Sequence, residues 1–216
     1  MTADIDYTSE KRIKIPLLPM LKRKDILISY SIMAIMSFGH FMLFAGTIIY
    51  FVFNLGFPRE DLEILYTLGG CLSFIAMMMT GQIVDRVGAR MLSFIITVLY
   101  VIVLADWYLH PPVMSLTAVF CLFMMCAAIM GVICSSIASE VPGEKERAAY
   151  MSLQRTTRHL AAGLGGVVSS IIMTSNPDGS LNNIDILASV SIGCIMSLPV
   201  LVLILRRSLS MRGATV

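Results

Sequence analysis

Charged side chains are scarce in this sequence. Asp, Glu, Lys and Arg make up 14% of its 216 residues, whereas soluble globular proteins carry about 25%. Hydrophobic residues, in contrast, reach 57%, and the mean hydropathy is +0.83. A soluble monomer of this composition would expose too much apolar surface, so the composition predicts a protein embedded in a lipid bilayer.

Histidines and paired cysteines are also scarce. The chain has three histidines and five cysteines, and no two cysteines have the C-x-x-C spacing of metal sites and redox centres. All five thiols lie within apolar stretches, where cysteine behaves as a small hydrophobic side chain. We therefore expect no metal, no cofactor and no disulfide framework.

The sequence has little net charge and lacks the common hydrolase motifs. A formal net charge of +2 indicates no basic surface, so we expect no nucleic-acid partner. Neither a G-x-S-x-G elbow nor an H-E-x-x-H motif is present. A membrane enzyme is therefore not expected.

Long apolar runs, on the other hand, are abundant. Crossing a hydrocarbon core of about 30 Å takes a helix of about 20 residues, and six segments meet that length. Turn-forming residues such as Gly56, Pro58 and Asn176–Gly179 separate several of them. We predict helices over about 26–53, 62–84, 91–109, 113–138, 148–173 and 184–205. The predicted fold class is an all-α membrane protein with six transmembrane helices.

The basic residues predict how the chain is oriented. If the six segments alternate in direction, fifteen of the sixteen Lys and Arg residues fall on one side of the membrane, and Arg59 is the exception. Such asymmetry is typical of the cytoplasmic side. We therefore expect both termini in the cytoplasm, with a leader or linker remnant at 1–24, a transmembrane domain at 25–207 and a cytoplasmic tail at 208–216.

A short polar segment between the second and third predicted helices combines glycines with charges. It contains Gly81, Asp85, Arg86, Gly88 and Arg90. Gly81 would let two helices touch, Asp85 would lie against the positive N-terminus of a neighbouring helix, and Gly88 would permit a tight reversal of the chain. An ordinary charged turn between two helices is the alternative.

This segment resembles the signature of the major facilitator superfamily, in which a glycine, an Asp-Arg pair, a second glycine and basic residues join the second and third helices of a six-helix half. Members usually have twelve helices in two such halves, so the resemblance implies one half of that fold. Residues 50–58 and 65–70 are similar to the seventh and eighth helices of bacterial drug and sugar efflux members. Residues 141–147 and 150–153 are similar to the turn before the eleventh helix and its start, which implies a C-terminal half.

The resemblance implies secondary active transport of a small organic molecule by alternating access. It also implies a second six-helix half, supplied by a second copy of the chain or by a separate chain. A plasma membrane location, the inner membrane in a bacterium, and efflux by proton antiport follow from the same analogy. Two alternatives remain open: a membrane subunit with a role in assembly or regulation, and an inactive fragment of a longer transporter.

His40 is the first candidate for substrate contact or proton coupling. It lies near the centre of the first predicted helix, and ionisable groups at that depth usually face a cavity or a partner. A histidine also titrates near neutral pH, which suits proton exchange. The alternative is a neutral histidine that hydrogen-bonds to a neighbouring helix as a packing element.

The fifth predicted helix is polar at its start and supplies further candidates. Gln154, Arg155, Arg158 and His159 lie on two adjacent rows of this helix. These side chains predict a basic cavity lining, which would draw anionic substrates or pair with an acid on a partner half. The alternative is that both arginines extend their apolar stems through lipid to the headgroups.

Two series of small residues follow in the same helix. They are Ala161, Gly165 and Ser169 and, one position later, Ala162, Gly166 and Ser170. Small residues let membrane helices pack closely, so both series predict helix contacts.

Overall fold

The computed structural model describes residues 20–108 and 113–213. The predicted leader at 1–24 lies almost entirely outside the described residues, as do 109–112 and 214–216. Within the described ranges the chain forms six long helices joined by short connections. These are α1 (Lys24–Phe44), α2 (Leu62–Val87), α3 (Ala89–Tyr108), α4 (Leu116–Ser139), α5 (Arg147–Ile172) and α6 (Ile184–Gly213). The prediction of an all-α fold with six helices is confirmed.

Five of the six helices are long and apolar enough to cross a membrane. The exception is α5, because its first half carries Gln154, Arg155, Arg158 and His159. Its 26 residues rise about 39 Å, which is sufficient to cross the hydrocarbon core. Helix α5 therefore has the length of a membrane span and the composition of a helix that faces water or protein.

The first predicted helix is not a regular α-helix along its whole length. Regular α-helix ends at Phe44, a turn follows at 45–46, and the chain continues as one helical turn, Thr47–Ile49, and a π-helix, Tyr50–Asn54. A Cβ on Gly46 would lie 2.5 Å from the Met173 sulfur at the end of α5. The helix predicted over 26–53 is present as one helical segment, Lys24–Asn54, although its regular α-helical part ends at Phe44.

The last helix is longer than its apolar run. The sequence predicts an end near Leu205, whereas α6 continues to Gly213. Leu209 packs against the hydrophobic core, and the Arg206 guanidinium lies 3.8 Å from the Glu140 carboxylate. Packing beyond the apolar segment therefore extends the helix into the predicted tail.

The helix packing repeats itself within the chain. Helix α1 packs mainly against α5 and α6, α4 packs mainly against α2 and α3, and α3 also packs against α6. The main partners of α1 are thus the last two helices of the second half of the chain, and the main partners of α4 are the last two helices of the first half. This exchange of partners relates helices α1–α3 to helices α4–α6 as two three-helix units with equivalent packing. Helices α1 and α4 occupy equivalent central positions, and α2 and α5 occupy equivalent outer positions.

The close approach of α5 to α1 depends on the first series of small residues. Ala161, Gly165 and Ser169 are buried, and a Cβ on Gly165 would lie 2.6 Å from the Phe38 carbonyl oxygen. The second series makes no comparable contact, since a Cβ on Gly166 would meet nothing within 4 Å among the described residues. The predicted helix contact is confirmed for the first series alone.

A small hairpin closes the connection between α5 and α6. Strands β1 (Thr174–Ser175) and β2 (Leu181–Asn182) pair antiparallel around the turn predicted at 176–179. The Asn54 side chain donates to the Leu181 carbonyl and accepts from the Leu181 amide, both at 2.8 Å. These two bonds tie the end of the first helical segment to the hairpin.

Candidate functional site

A cavity of about 640 Å³ lies between α1 and α4. Its volume is within the usual range for sites that bind small molecules. All six helices contribute to its wall, and α1 and α4 supply most of the lining. The lining residues are Met36, Ser37, His40, Phe41, Ser73, Met77, Tyr100, Met124, Ala127, Ala128, Gly131, Val132, Ser135, Ser136, Arg158 and Ile195. The wall is mostly apolar, with a small number of polar groups.

His40 occupies the wall of this cavity and is held by aromatic neighbours. Its Nδ1 lies 2.8 Å from the Tyr100 hydroxyl of α3. Its ring stacks on Phe123 of α4 at 4.9 Å and on Phe44 at 5.7 Å between centroids. These contacts fix the orientation of the imidazole, and Nε2 has no hydrogen-bond partner among the described residues. The packing interpretation and the functional interpretation of His40 therefore both remain compatible with its position.

Two serine hydroxyls in the wall also lack partners. Ser37 is buried on α1 and Ser73 is half-buried on α2, and neither Oγ has a hydrogen-bond partner in the described part of the chain. A buried hydroxyl without a partner costs about 1–3 kcal/mol. The cavity wall thus carries hydrogen-bonding capacity that the protein itself does not use.

Arg158 reaches the same cavity from α5. It stands eleven residues after Arg147, where α5 begins, which corresponds to about 16 Å along the helix axis. None of the lining residues is Asp or Glu. The ion pairs of the described residues join Arg23 to Asp25 and Glu146, and Arg206 to Glu140. The positive charge of Arg158 is therefore not compensated by a described acidic side chain.

The other polar candidates of α5 lie elsewhere. Arg155 and His159 line a separate shallow groove formed by α5 residues. Gln154 is buried, at 4% exposure, and its Nε2 has no partner among the described residues. The structure thus brings His40 and Arg158 together on one cavity and separates Arg155, His159 and Gln154 from it.

The glycine-rich turn between α2 and α3 is exposed. Gly88 has a φ of 84° and ends α2, so it has the backbone conformation that a tight reversal requires. Asp85, Arg86 and Arg90 are exposed and form no ion pair within the described ranges. A Cβ on Gly81 would meet nothing within 4 Å. The helix contact expected at Gly81 is therefore absent from the described part of this chain.

The start of α1 is joined to the start of α5 by a polar network. Arg23 lies 2.6 Å from an Asp25 oxygen and 2.8 Å from a Glu146 oxygen, and it also donates to the Val141 carbonyl. The hydrogen bond to Asp25 raises the pKa of the Arg23 guanidinium. Close by, the Tyr150 hydroxyl lies 2.5 Å from Ser29 Oγ. This network links the two helices at the opposite end from the hairpin.

Sequence reasoning missed Tyr100 and Arg23. The signal for Tyr100 was a hydroxyl in the middle of an apolar helix, where a partner is expected. Arg23 is one of several basic residues before the first helix and carries no signal of its own in the sequence. Their partners, His40 and Glu146, are distant in sequence, so the pairs could not be inferred from spacing.

The chain matches the family model described as Major Facilitator Superfamily over residues 5–166. This match covers more than half of the 216 residues and includes the turn between α2 and α3. No curated protein and no solved structure matches the chain.

Proposed function

We propose that this chain, which belongs to the major facilitator superfamily, is one six-helix half of a secondary active transporter for a small organic molecule. Family members are membrane transporters, and transport in this class occurs at a site near the bilayer midplane between two halves. The observation that carries the proposal is the cavity in which His40 and Arg158 meet residues from all six helices. Alternating access would then consist of rocking this half against a second one.

The need for a second half is supported by α5. Arg155, Arg158 and His159 are exposed on this helix, although they lie within the span that would cross the membrane. Charged groups facing lipid at this depth are costly and are normally covered by protein or water. A second six-helix unit, either another copy of the chain or a separate chain, would cover them and complete the path.

The direction and coupling of transport follow the family analogy. The similarity of 50–58 and 141–147 to efflux members favours a C-terminal half that exports its substrate in exchange for protons. His40, oriented by Tyr100 at 2.8 Å, is the group that we assign to the proton. The distribution of Lys and Arg favours an orientation with both termini in the cytoplasm, in the inner membrane of a bacterium.

A membrane subunit without transport activity is the second candidate. It is supported by the exposed Asp85, Arg86 and Arg90, which have no ion-pair partner within the described residues and would suit contact with another protein. It predicts that neutral substitutions at His40 and Arg158 leave the function unchanged. The transporter proposal predicts that they abolish it.

Native mass spectrometry of the purified chain in lipid nanodiscs, followed by flux measurements, tests the proposal. A dimer would be reconstituted alone, whereas a monomer would first be co-purified with its partner. The complete unit should move a small organic solute along an imposed pH gradient, and His40→Gln should remove that coupling. A stable complete unit that moves no solute across a broad panel would favour the second candidate.

A further inference from the structure

We infer that the cavity selects a small organic monoanion with a planar apolar body, and that Arg158 binds its carboxylate. The inference rests on the proposed function and names the substrate class of that same site. Arg158, His40 and the unpartnered Ser37 hydroxyl converge on one mostly apolar cavity. An amphipathic anion is the ligand that satisfies all of these groups together.

The charge of the cavity wall favours an anion. Arg158 lines the cavity, and no described lining residue carries a negative charge. A guanidinium stays protonated at any relevant pH and offers a planar fork of N–H donors that matches a carboxylate. A neutral ligand would leave this charge without a counterion in a mostly apolar cavity, and a cation would be repelled.

The hydroxyl groups of the cavity wall suit a carboxylate. The Oγ atoms of Ser37 and Ser73 have no partner among the described residues. Two carboxylate oxygens accept about four hydrogen bonds between them. Serine hydroxyls therefore complement the guanidinium as donors and require no acidic residue in the wall.

The apolar side chains of the cavity wall suit a planar ligand body. Phe41, Met77 and Met124 line the cavity beside Arg158, and Phe41 and Met77 are about two-fifths exposed, at 41% and 42%. Thioethers and aromatic edges make favourable contacts with a planar ring. The lining thus favours an aromatic acid over a sugar, whose hydroxyls would find few partners in this wall.

The chain supplies a matched control for Arg158. Arg155 is the same residue type on the same helix, three positions earlier, and it lines the separate groove of α5. Neutralising either arginine removes one positive charge from α5. Only the loss of Arg158 changes the charge of the cavity.

The chain also supplies a reporter. Trp107 is the single tryptophan, is fully buried and lies 5.4 Å from the Phe123 ring. Phe123 in turn stacks on His40 at 4.9 Å. A fluorescence acceptor bound in the cavity would therefore quench the emission of Trp107.

The experiment titrates the purified chain in its complete unit, in phosphatidylcholine nanodiscs, with 2-aminobenzoate and 2-aminobenzamide. Both probes absorb where tryptophan emits, and they differ mainly in charge. We expect the acid to bind at least about tenfold more tightly than the amide, because a hydrogen bond to a charged group contributes more than one to a neutral group. Arg158→Gln should abolish this preference, Arg158→Lys should retain part of it, and Arg155→Gln should leave it unchanged.

Four results would overturn the inference. They are equal affinity for the two probes, a preference that survives Arg158→Gln, an equal loss in Arg155→Gln, and no quenching by either probe. Unchanged helical circular dichroism and Trp107 emission in the free variants verify their folding. Charge-selective binding without flux would refute the transport proposal alone, whereas coupled flux of solutes without charge preference would refute this inference alone.

Discussion

Gly165→Ala tests how closely α5 must approach α1. The added Cβ would lie 2.6 Å from the Phe38 carbonyl oxygen and 3.2 Å from the Met42 amide nitrogen. Both are backbone atoms of α1, so no change of rotamer relieves the overlap. Ordinary van der Waals contact begins near 3.4 Å, and α5 therefore has to move away from α1 by roughly 0.8 Å in a close-packed interface.

The expected loss of stability follows from two opposing effects. Overpacking of this kind costs about 1–3 kcal/mol, while replacing glycine by alanine within a helix contributes about 1 kcal/mol in favour of folding. Gly166→Ala is the matched control, because it has the same propensity gain and its Cβ would meet nothing within 4 Å. We expect Gly165→Ala to be less stable than Gly166→Ala by about 1–3 kcal/mol.

The two variants are compared by denaturant unfolding in detergent, with Trp107 emission as the signal. The comparison isolates the overlap because both substitutions lie on the same helix one residue apart. Equal stability of the two variants would refute the close contact between α5 and α1. A shift of α5 would also displace Arg158 within the cavity, so Gly165→Ala should weaken binding of 2-aminobenzoate more than Gly166→Ala does.

Three further predictions concern other parts of the fold. Asn54→Ala should lower the free energy of unfolding by about 1–2 kcal/mol, because it removes two hydrogen bonds to Leu181; an unchanged denaturation midpoint would contradict this. Tyr100→Phe removes the partner of His40 and should shift the pH profile of transport, whereas identical profiles in the variant and the wild type would leave His40 a packing residue. Asp85→Asn should reduce transport, because the resemblance places Asp85 in the gating motif. It should leave membrane insertion intact, because Asp85 has no ion-pair partner within the described residues; full transport activity of this variant would exclude a gating role.

The ends of most helices could be predicted from the sequence because composition changes sharply there. The transition from α2 to α3 is an example. In the sequence, Gly88 stands among charged residues, and in the structure it has the positive φ of a tight reversal. The break after Phe44 could not be predicted in this way. The structure places Gly46 against Met173 at this point, and that contact exists only after α1 and α5 have packed.

The individual residues of the candidate site stand out in the sequence, whereas their arrangement does not. His40 and Arg158 each stand out as polar groups within a predicted transmembrane helix, which is a signal in the sequence itself. Arg155 gives the same signal, and it lies about 60° from Arg158 around the helix. Which of the two arginines faces the cavity is decided by the buried contact of Gly165 with α1, and no local pattern shows this.

The two outer helices show why this fold favours a partner. Helices α2 and α5 are equivalent in the repeated packing, yet their exposed faces differ in chemistry. Helix α2 exposes apolar side chains such as Phe74 and Met78, which are stable against either lipid or protein. Helix α5 exposes Arg155 and His159, which are costly against lipid wherever this helix crosses the hydrocarbon core. The repeated backbone is compatible with a lone six-helix unit, and the side chains of α5 are the feature on which the proposed second half rests.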